Sequence, residues 1–334
     1  MRKRVEDTHD LTENLRKKSV DLNKKACLIT NLRGTEQEKD LTLPTNCQGF
    51  GRIHHFRLTP KDSRWMPDPL PMLPANKYLN IPQSEVVHTQ VFQLAACNFH
   101  CWYCFVDHNL LSANPKYSSF VTAKELLGYM LEEEVGSSII DLSGGQPDIV
   151  PEYVLWFLQA REEMGLEKKY FVWTDDNLST DSLWRYLSRK EIEYMVETPG
   201  FARVGCLKGF DPESFAFNTG ADKQMFDQQI DLLSDLVETG FDQYGYITLT
   251  ALNLENLENK ISGLFDEIQE RVHPNFPLRI IPLQIFHFNA NKGRYIHRAE
   301  ENQYKVIEVW KDELNRRFSK SELKTPITEV SLKR

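Results

Sequence analysis

Short apolar runs alternate with longer stretches of helical period from residue 85 onward, and this pattern divides most of the chain into strand–helix units. Short runs rich in β-branched and aromatic side chains predict buried strands. The predicted strands are Val86–Leu94, Ile139–Ser143, Tyr170–Thr174, Ala202–Leu207, Tyr244–Leu249 and Leu278–Phe286.

Helical periodicity fills the intervals between these strands and has recognisable start and stop signals. Thr122 and Glu125 have the spacing of a capping box, and Gly240 follows the last apolar residue of another helix. The predicted helices run from Thr122 to about Glu134, from Pro151 to Gly165, and over Ser182–Leu187, Phe226–Glu238, Leu254–Val272 and Glu300–Phe318. Strands that alternate with helices indicate a parallel sheet of the α/β class. We predict a partial (βα)6 TIM-like barrel with an N-terminal extension and a C-terminal helix, whose chemistry lies at the carboxyl ends of the strands.

The rest of the chain differs in composition from this core. Leu11, Leu15 and Leu22 form one weak helical stripe in a charged segment that we expect to be partly disordered or helical. The next segment is rich in proline, which excludes long helices and central strands. With Trp65 and Met66 as anchors, it could plug or cover the barrel, but we favour packing against the outside. The predicted divisions are residues 1–45, 46–84, the core at 85–290, and a C-terminal helix and tail at 291–334.

Composition narrows the function classes. The 334 residues carry a net charge of −8, which argues against broad, charge-driven nucleic-acid binding. Six cysteines without a framework spacing indicate a reducing compartment. The first residues contain no apolar run of a secretory signal, and no stretch reaches the length of a membrane span. We therefore expect a cytoplasmic protein with no membrane association.

Three of the cysteines carry the most information. Cys97, Cys101 and Cys104 follow the first predicted strand directly, in a C-x3-C-x2-C spacing. Three thiolates on one loop can hold an iron–sulfur cube and leave its fourth iron open for a small molecule. The alternative is a structural zinc site, with His100 or His108 as the fourth ligand.

A second motif ends the next strand. Ser143, Gly144, Gly145 and Gln146 precede Pro147 there. The two glycines let a ligand approach the backbone closely, and the last carbonyls of the strand can accept hydrogen bonds from an ammonium group.

Together, the two motifs resemble those of the radical S-adenosylmethionine (SAM) superfamily, and the likeness covers about residues 86–290. The resemblance implies a [4Fe–4S] cluster on Cys97, Cys101 and Cys104, and a SAM whose methionine amino group is bound by the Ser143–Gln146 strand end. Gln146 stands where that superfamily usually has glutamate, so the ammonium contact is expected to be weaker. Within the superfamily, the chain is most similar to the activating enzymes of glycyl-radical enzymes and their uncharacterised relatives.

The same resemblance implies roles for further residues. Asp175 would reach the ribose or amino end of SAM, and Lys208 would contact its carboxylate. His287 would lie near SAM, although a core histidine is an equal alternative, and the backbone at Tyr103 would meet the adenine. Asp176 and Asn177, which follow Asp175, are expected to cap a helix rather than bind a ligand.

Cys206 is a candidate hydrogen-atom donor. It lies two residues before Lys208 on a predicted strand, so both side chains share a face. If that face lines the barrel, the thiol could donate a hydrogen atom to a substrate radical. The alternative is a small buried apolar residue.

The implied activity is reductive cleavage of SAM to a 5′-deoxyadenosyl radical that abstracts hydrogen from a substrate. The partners would be an electron donor such as flavodoxin or ferredoxin, and a small molecule, peptide or partner protein that no motif identifies. Since Cys206 is the only cysteine beyond Cys104, we expect a single cluster. The alternatives are a non-catalytic zinc protein and a radical SAM RNA modifier, and the negative charge disfavours the latter.

Overall fold

A curled seven-stranded sheet forms the frame of the molecule in the computed structural model, which describes residues 8–133 and 136–333. Its strands, in spatial order, are β3 (Gly51–Arg57), β4 (Val86–Phe92), β6 (Ile139–Leu142), β7 (Phe171–Asp176), β8 (Phe201–Leu207), β9 (Gln243–Ile247) and β10 (Ile280–Pro282). Six of them, β4 and β6 to β10, are parallel, and β3 runs antiparallel along the edge of β4. This arrangement confirms the predicted half-barrel of six parallel strands.

Helices cover one face of this sheet. They are α3 (Ala123–Glu132), α4 (Glu152–Glu163), α5 (Ser182–Tyr186), α6 (Arg189–Glu197), α7 (Pro212–Thr219), α8 (Met225–Thr239), α9 (Leu257–Glu267) and α10 (His297–Arg317). Thr122 and Glu125 form the predicted capping box, and Gly240 ends α8 with a φ of 100°. The predicted end of α3 near Glu134 lies outside the described residues. Within the described ranges, no helix is long and apolar enough to cross a membrane.

Strand alternation gives the sheet two different faces. On β7, Val172 packs among the helices of the convex face, while Phe171 and Trp173 belong to a separate cluster on the opposite, concave face. The concave-face cluster also contains Ile139, Ala202, Val204, Cys206, Tyr244, Tyr246 and Ile281. The carboxyl ends of the parallel strands meet at one rim of this concave face, where barrel sites belong.

The charged N-terminal segment contributes a helix and a second small sheet. Helix α1 (Thr8–Ser19) precedes β1 (Val20–Asp21) and β2 (Ala26–Thr30), and β2 pairs with β5 (Ser118–Thr122). Every residue of β2 is buried, and the sequence analysis did not identify this strand. A buried two-pronged ion pair between Arg16 and Glu152 ties α1 to α4, with N–O distances of 2.7 and 2.5 Å.

Part of the Pro-rich segment packs against the concave face, which corrects our expectation that it packs outside. Helix α2 (Met72–Leu79) follows β3, and Leu70 and Ala75 are fully buried in the concave-face cluster. Trp65 packs at the end of the sheet, where its indole N–H donates to the carbonyl of Pro282 at 3.2 Å. The segment therefore covers part of the concave face.

Candidate active site

The cysteine loop, residues 97–104, begins five residues after β4 ends and lies at the carboxyl rim of the sheet. Backbone hydrogen bonds anchor it: the amide of Cys97 donates to Leu111 at 2.9 Å, and the amide of His100 donates to Thr219 at the end of α7 at 3.0 Å. Cys101 is buried, while Cys97 and Cys104 are half-buried. The three thiols are therefore held on a fixed loop that stays accessible from the rim.

Burial and the neighbouring thiols raise the pKa of Cys97 to about 12 and that of Cys104 to about 11. Thiols in this state keep their protons until a metal displaces them. The side-chain amide of Asn177 lies 3.7 Å from the sulfur of Cys97 and donates to it. Hydrogen bonds to cluster sulfurs are a recognised means of setting the reduction potential.

The donor set fits an iron–sulfur cluster better than one zinc ion. Among the described residues, no three His, Cys, Asp or Glu side chains are grouped closely enough to hold a single metal ion. Zinc, at 2.3 Å from each sulfur, would need thiolates only about 3.8 Å apart. A cluster, which takes one cysteine per iron, does not need thiols that close together. The Nε2 atom of His108 lies 3.4 Å from the carbonyl oxygen of Cys101, so this nitrogen is engaged with the loop backbone.

The glycine turn after β6 packs directly against the start of the cysteine loop. Gly144 and Gly145 have φ values of 79° and 78°, which favour glycine. A Cβ on Gly145 would lie 2.2 Å from the carbonyl oxygen of Leu94 and 2.7 Å from that of Ala96. The amide of Gln146 donates to the same carbonyl of Ala96 at 2.7 Å. The glycines thus let the end of β6 set the position of the residues that lead into the loop.

The side chain of Gln146 points away from the open rim, which corrects its expected contact with the SAM ammonium. It is fully buried, its amide nitrogen donates to Asp176 at 2.7 Å, and its oxygen accepts from the backbone N–H of Asn177 at 2.8 Å. Gln146 therefore links the end of β6 to the end of β7 internally.

Asp176 and Asn177 do not cap a helix, contrary to our expectation. Asp176 lies 3.4 Å from the buried guanidinium of Arg203, and burial together with Asp148 raises its pKa to about 7. Asn177 contacts the cysteine loop twice, through Cys97 and through the side chain of Asn98 at 3.1 Å. The position of Asn177 just after a predicted strand was a signal in the sequence, but the sequence could not show that Asn177 contacts the cysteine loop.

Asp175 and Lys208 lie half-buried beside the concave face. The indole N–H of Trp173 donates to Asp175 at 3.0 Å. Burial raises the pKa of Asp175 to about 6, opposed by the charge of Lys208. Lys208 is held by the side chain of Gln229, which accepts from its backbone N–H at 3.0 Å. A carboxylate and an ammonium are therefore placed at the ends of neighbouring strands.

Cys206 lies in the concave-face cluster and is 6% exposed. Burial raises its pKa to about 12, so the thiol stays protonated at neutral pH. Its register partner on β9 is Tyr246, whose hydroxyl donates to the carboxylate of Asp68 at 3.0 Å. The thiol and the phenol therefore lie side by side on the concave face.

Tyr103 and His287 occupy different environments. The hydroxyl of Tyr103 lies 3.0 Å from that of Thr248, and the backbone carbonyl of Tyr103 accepts from the side chain of Asn291 at 3.0 Å. His287 is exposed and is therefore not a core residue. Its ring reaches the cysteine loop through Tyr295, whose centroid is 5.0 Å away and lies 5.3 Å from that of Trp102.

Arg294 is a further site residue that the sequence analysis missed. Its guanidinium donates to the carbonyls of Cys104 and Val106, both at 2.7 Å. Together with Asn291, it fixes the backbone of the cysteine loop from the C-terminal side. Arg294 belongs to no motif, so only the folded chain reveals its role.

The family model of the radical SAM superfamily matches residues 94–261, which is half of the chain and includes the cysteine loop and the glycine turn. The chain therefore belongs to the radical SAM superfamily. Its cofactors are those of the superfamily, a [4Fe–4S] cluster and SAM. No curated protein matches the chain.

Several solved structures are similar to the chain at low sequence identity and with TM-scores below 0.5. SuiB of Streptococcus suis, solved with SAM, is 16% identical over 69% of this chain and 48% of its own, with a TM-score of 0.45. A radical SAM methyltransferase of Sphaerobacter thermophilus is 10% identical over 68% of this chain and 64% of its own, with a TM-score of 0.42. A spore photoproduct lyase variant, solved with SAM and a dinucleoside spore photoproduct, is 13% identical over 71% of this chain and 75% of its own, with a TM-score of 0.46. The chain spans about half the length of SuiB.

Proposed function

We propose that this chain is a radical SAM enzyme with a single cluster, held by Cys97, Cys101 and Cys104, that abstracts a hydrogen atom from a substrate carbon. The observation that carries the proposal is the anchored three-cysteine loop, packed against the glycine turn at the carboxyl rim of the sheet. When bound, the cluster and SAM supply a 5′-deoxyadenosyl radical after one electron enters the sulfonium.

The residues around the loop would divide the work of holding SAM. The carbonyls of Ser143, Gly144 and Gly145 would accept from its ammonium, because the side chain of Gln146 is engaged elsewhere. Lys208 would pair with its carboxylate and Asp175 would bind its ribose, while the backbone at Tyr103 would contact the adenine. His287, exposed beside Tyr295, would lie at the entrance to this space.

Cys206 would return a hydrogen atom to the substrate radical. Its protonated thiol would lose the hydrogen as an atom, which forms a C–H bond and leaves a thiyl radical. One electron and one proton from the reducing partner would then restore the thiol. A concave face closed by Leu70 and α2 would keep competing hydrogen donors out.

The finer assignments follow from the same proposal. An electron donor such as flavodoxin or ferredoxin would supply the reducing electron, and the substrate would be a small molecule, a peptide or a partner protein, as for an activase. All six cysteines are free thiols, which suits a reducing, cytoplasmic location.

The proposal is tested by replacing each of Cys97, Cys101 and Cys104 with alanine. We expect each variant to lose iron loading, measured as iron per chain and visible absorption after anaerobic reconstitution, and to release no 5′-deoxyadenosine after reduction. Cys47→Ala is the matched control, because Cys47 is a fully buried cysteine outside the loop. Loop variants that load iron and release nucleoside like the control would overturn the proposal.

A further inference from the structure

We infer that Arg52 and Asp141 together bind the dipolar end of the substrate, which carries an ammonium and a carboxylate group as in a free α-amino acid. This inference rests on the proposed function and identifies the substrate class of the same site. Arg52 would hold the carboxylate, and Asp141 would hold the ammonium.

The strand register places both residues in one row of the concave face. Arg52 on β3 pairs with Val91 on β4, and Val91 pairs with Asp141 on β6. Residues paired across a sheet point to the same side, and Asp141 alternates with Ile139, a member of the concave-face cluster. Two strand spacings separate the Cα atoms of Arg52 and Asp141 by about 9.5 Å.

Both side chains are buried, and each has a polar atom without a hydrogen-bond partner. Arg52 is 5% exposed and Asp141 is 2% exposed. Within the described part of the chain, Nε of Arg52 and Oδ1 of Asp141 have no hydrogen-bond partner. A buried charge without a partner costs several kcal/mol, which a ligand of opposite charge offsets.

Arg52 and Asp141 also do not satisfy each other. They influence each other electrostatically, since Arg52 opposes the rise in the pKa of Asp141 that burial and Asp175 produce. Yet no hydrogen bond or ion pair joins them among the described residues. A guanidinium and a carboxyl group that face one interior on either side of Val91 suit a ligand group with both a carboxylate and an ammonium, and the ammonium would favour the ionised form of Asp141.

Both residues lie close to the two motifs of the candidate site. The guanidinium carbon of Arg52 lies 5.1 Å from the ring centroid of Phe105, the residue that follows Cys104. Asp141 lies on β6, two residues before Ser143, which follows the strand and leads into the glycine turn. A dipolar group held here would lie just below the rim that carries the cysteine loop.

The two residues also come from different parts of the chain. Asp141 is inside the region that matches the superfamily, residues 94–261, whereas Arg52 lies outside it. Specificity for the substrate would therefore depend on Arg52 of the antiparallel edge strand β3, which lies outside the region that matches the superfamily.

The test measures the binding of the proteinogenic L-α-amino acids, each tested singly by equilibrium dialysis, to the reconstituted enzyme with SAM before reduction. We expect at least one to bind. Its decarboxylated amine and its deaminated acid should each bind about tenfold or more weakly, because each lacks one charge-assisted contact. Binding of none of the amino acids, or equally tight binding of the amine or the acid, would overturn the inference.

Two variants assign the contacts to residues. Arg52→Gln and Asp141→Asn should each weaken amino-acid binding about tenfold or more. Arg57→Gln, an exposed arginine at the other end of β3, should bind like the wild type. Arg52→Lys replaces the glutamine variant if that one does not fold, as judged by circular dichroism, and should also weaken binding. Unchanged binding in the folded variants would overturn the inference, because the amino acid would then bind through other residues.

A separate measurement distinguishes the possible failures. Reduced enzyme without substrate should release 5′-deoxyadenosine in the two variants as in the wild type. If only the variants lose this release, Arg52 and Asp141 serve SAM instead, and the inference is wrong. If the wild type itself releases none, the proposed function fails, whatever the amino acids do.

Discussion

Gln146 shows how one side chain can join two strand ends. It donates to the carboxylate of Asp176 and accepts from the backbone N–H of Asn177 at the same time. An amide has both a donor and an acceptor, whereas an ionised carboxylate only accepts. Asn177 in turn contacts Cys97, so the choice of glutamine bears on the position of a proposed cluster ligand.

We predict that Gln146→Glu destabilises the protein as pH rises. The new carboxyl would face Asp176, so one of the two must keep a proton, and the folded pKa of the pair rises. The folded state then binds more protons than the unfolded state, and stability falls above about pH 4. Urea unfolding should show a loss of about 2–4 kcal/mol at pH 8 and a smaller loss at about pH 5. Gln83→Glu, at an exposed position, should lose stability at neither pH. An equal loss for Gln146→Glu at both pH values would contradict the prediction.

Asp68 contributes a pH dependence of the same sign in the natural chain. Burial is the main cause that raises its pKa to about 7. Since an unfolded aspartate titrates near pH 3.9, its contribution to stability falls as pH rises between about 4 and 7. Asn can still accept hydrogen bonds from the amide of Leu70 and from Tyr246. We therefore predict that the free energy of unfolding of Asp68→Asn, relative to the wild type, rises by on the order of 2 kcal/mol between about pH 5 and about pH 8.

The control for this prediction is Asp62→Asn. A hydrogen bond from Arg64 lowers the pKa of Asp62, so this carboxylate is ionised throughout that pH range. Its substitution should therefore change stability by the same amount at both pH values. A pH-independent difference for Asp68→Asn as well would show that Asp68 is ionised in the folded protein.

At the scale of elements, the sequence predicted the strands that are buried on both faces. β7 and β8 are covered by helices on one side and by the concave-face cluster on the other, so they appear as continuous apolar runs. Strand β3 was missed because it lies at an edge, and four of its seven residues are the polar Arg52, His54, His55 and Arg57. Strand β2 is buried but short, within a charged segment whose composition indicates disorder.

The site was predictable to the extent that its residues belong to local motifs. The cysteine loop and the glycine turn are continuous in sequence, and their spacing indicates the chemistry. Asn291 and Arg294 contact the loop from almost two hundred residues away, so no local pattern reveals them. The same is true of Arg52, whose place beside Phe105 follows only from the sheet register and the curvature of the sheet.

At the scale of the whole molecule, the N-terminal segments complete what the half-barrel leaves open. Leu70 and α2 cover the concave face, β3 extends its edge, and α1 contacts the cysteine loop, since Asn98 donates to Thr12 at 2.8 Å. The convex face needs no such cover, because the crossover helices already bury it. The half-barrel and the N-terminal segments are therefore joined by buried contacts, a shared sheet edge and a hydrogen bond to the cysteine loop.

Gly145 packs against the backbone that leads into the cysteine loop, and its substitution tests whether this contact positions the loop. We predict that Gly145→Ala lowers iron loading and release of 5′-deoxyadenosine several-fold, because a Cβ at 2.2 Å from the carbonyl oxygen of Leu94 forces β4 and the loop apart. It should also cost about 2–4 kcal/mol in stability, the range typical of overpacking added to backbone strain. Gly165→Ala is the matched control: its φ is also positive, at 67°, but a Cβ there meets nothing within 4 Å. That variant should lose only about 1 kcal/mol and should load iron normally. If both alanine variants load iron equally, the glycine turn does not position the loop, and the link between sheet and cluster must run through Asn177 instead.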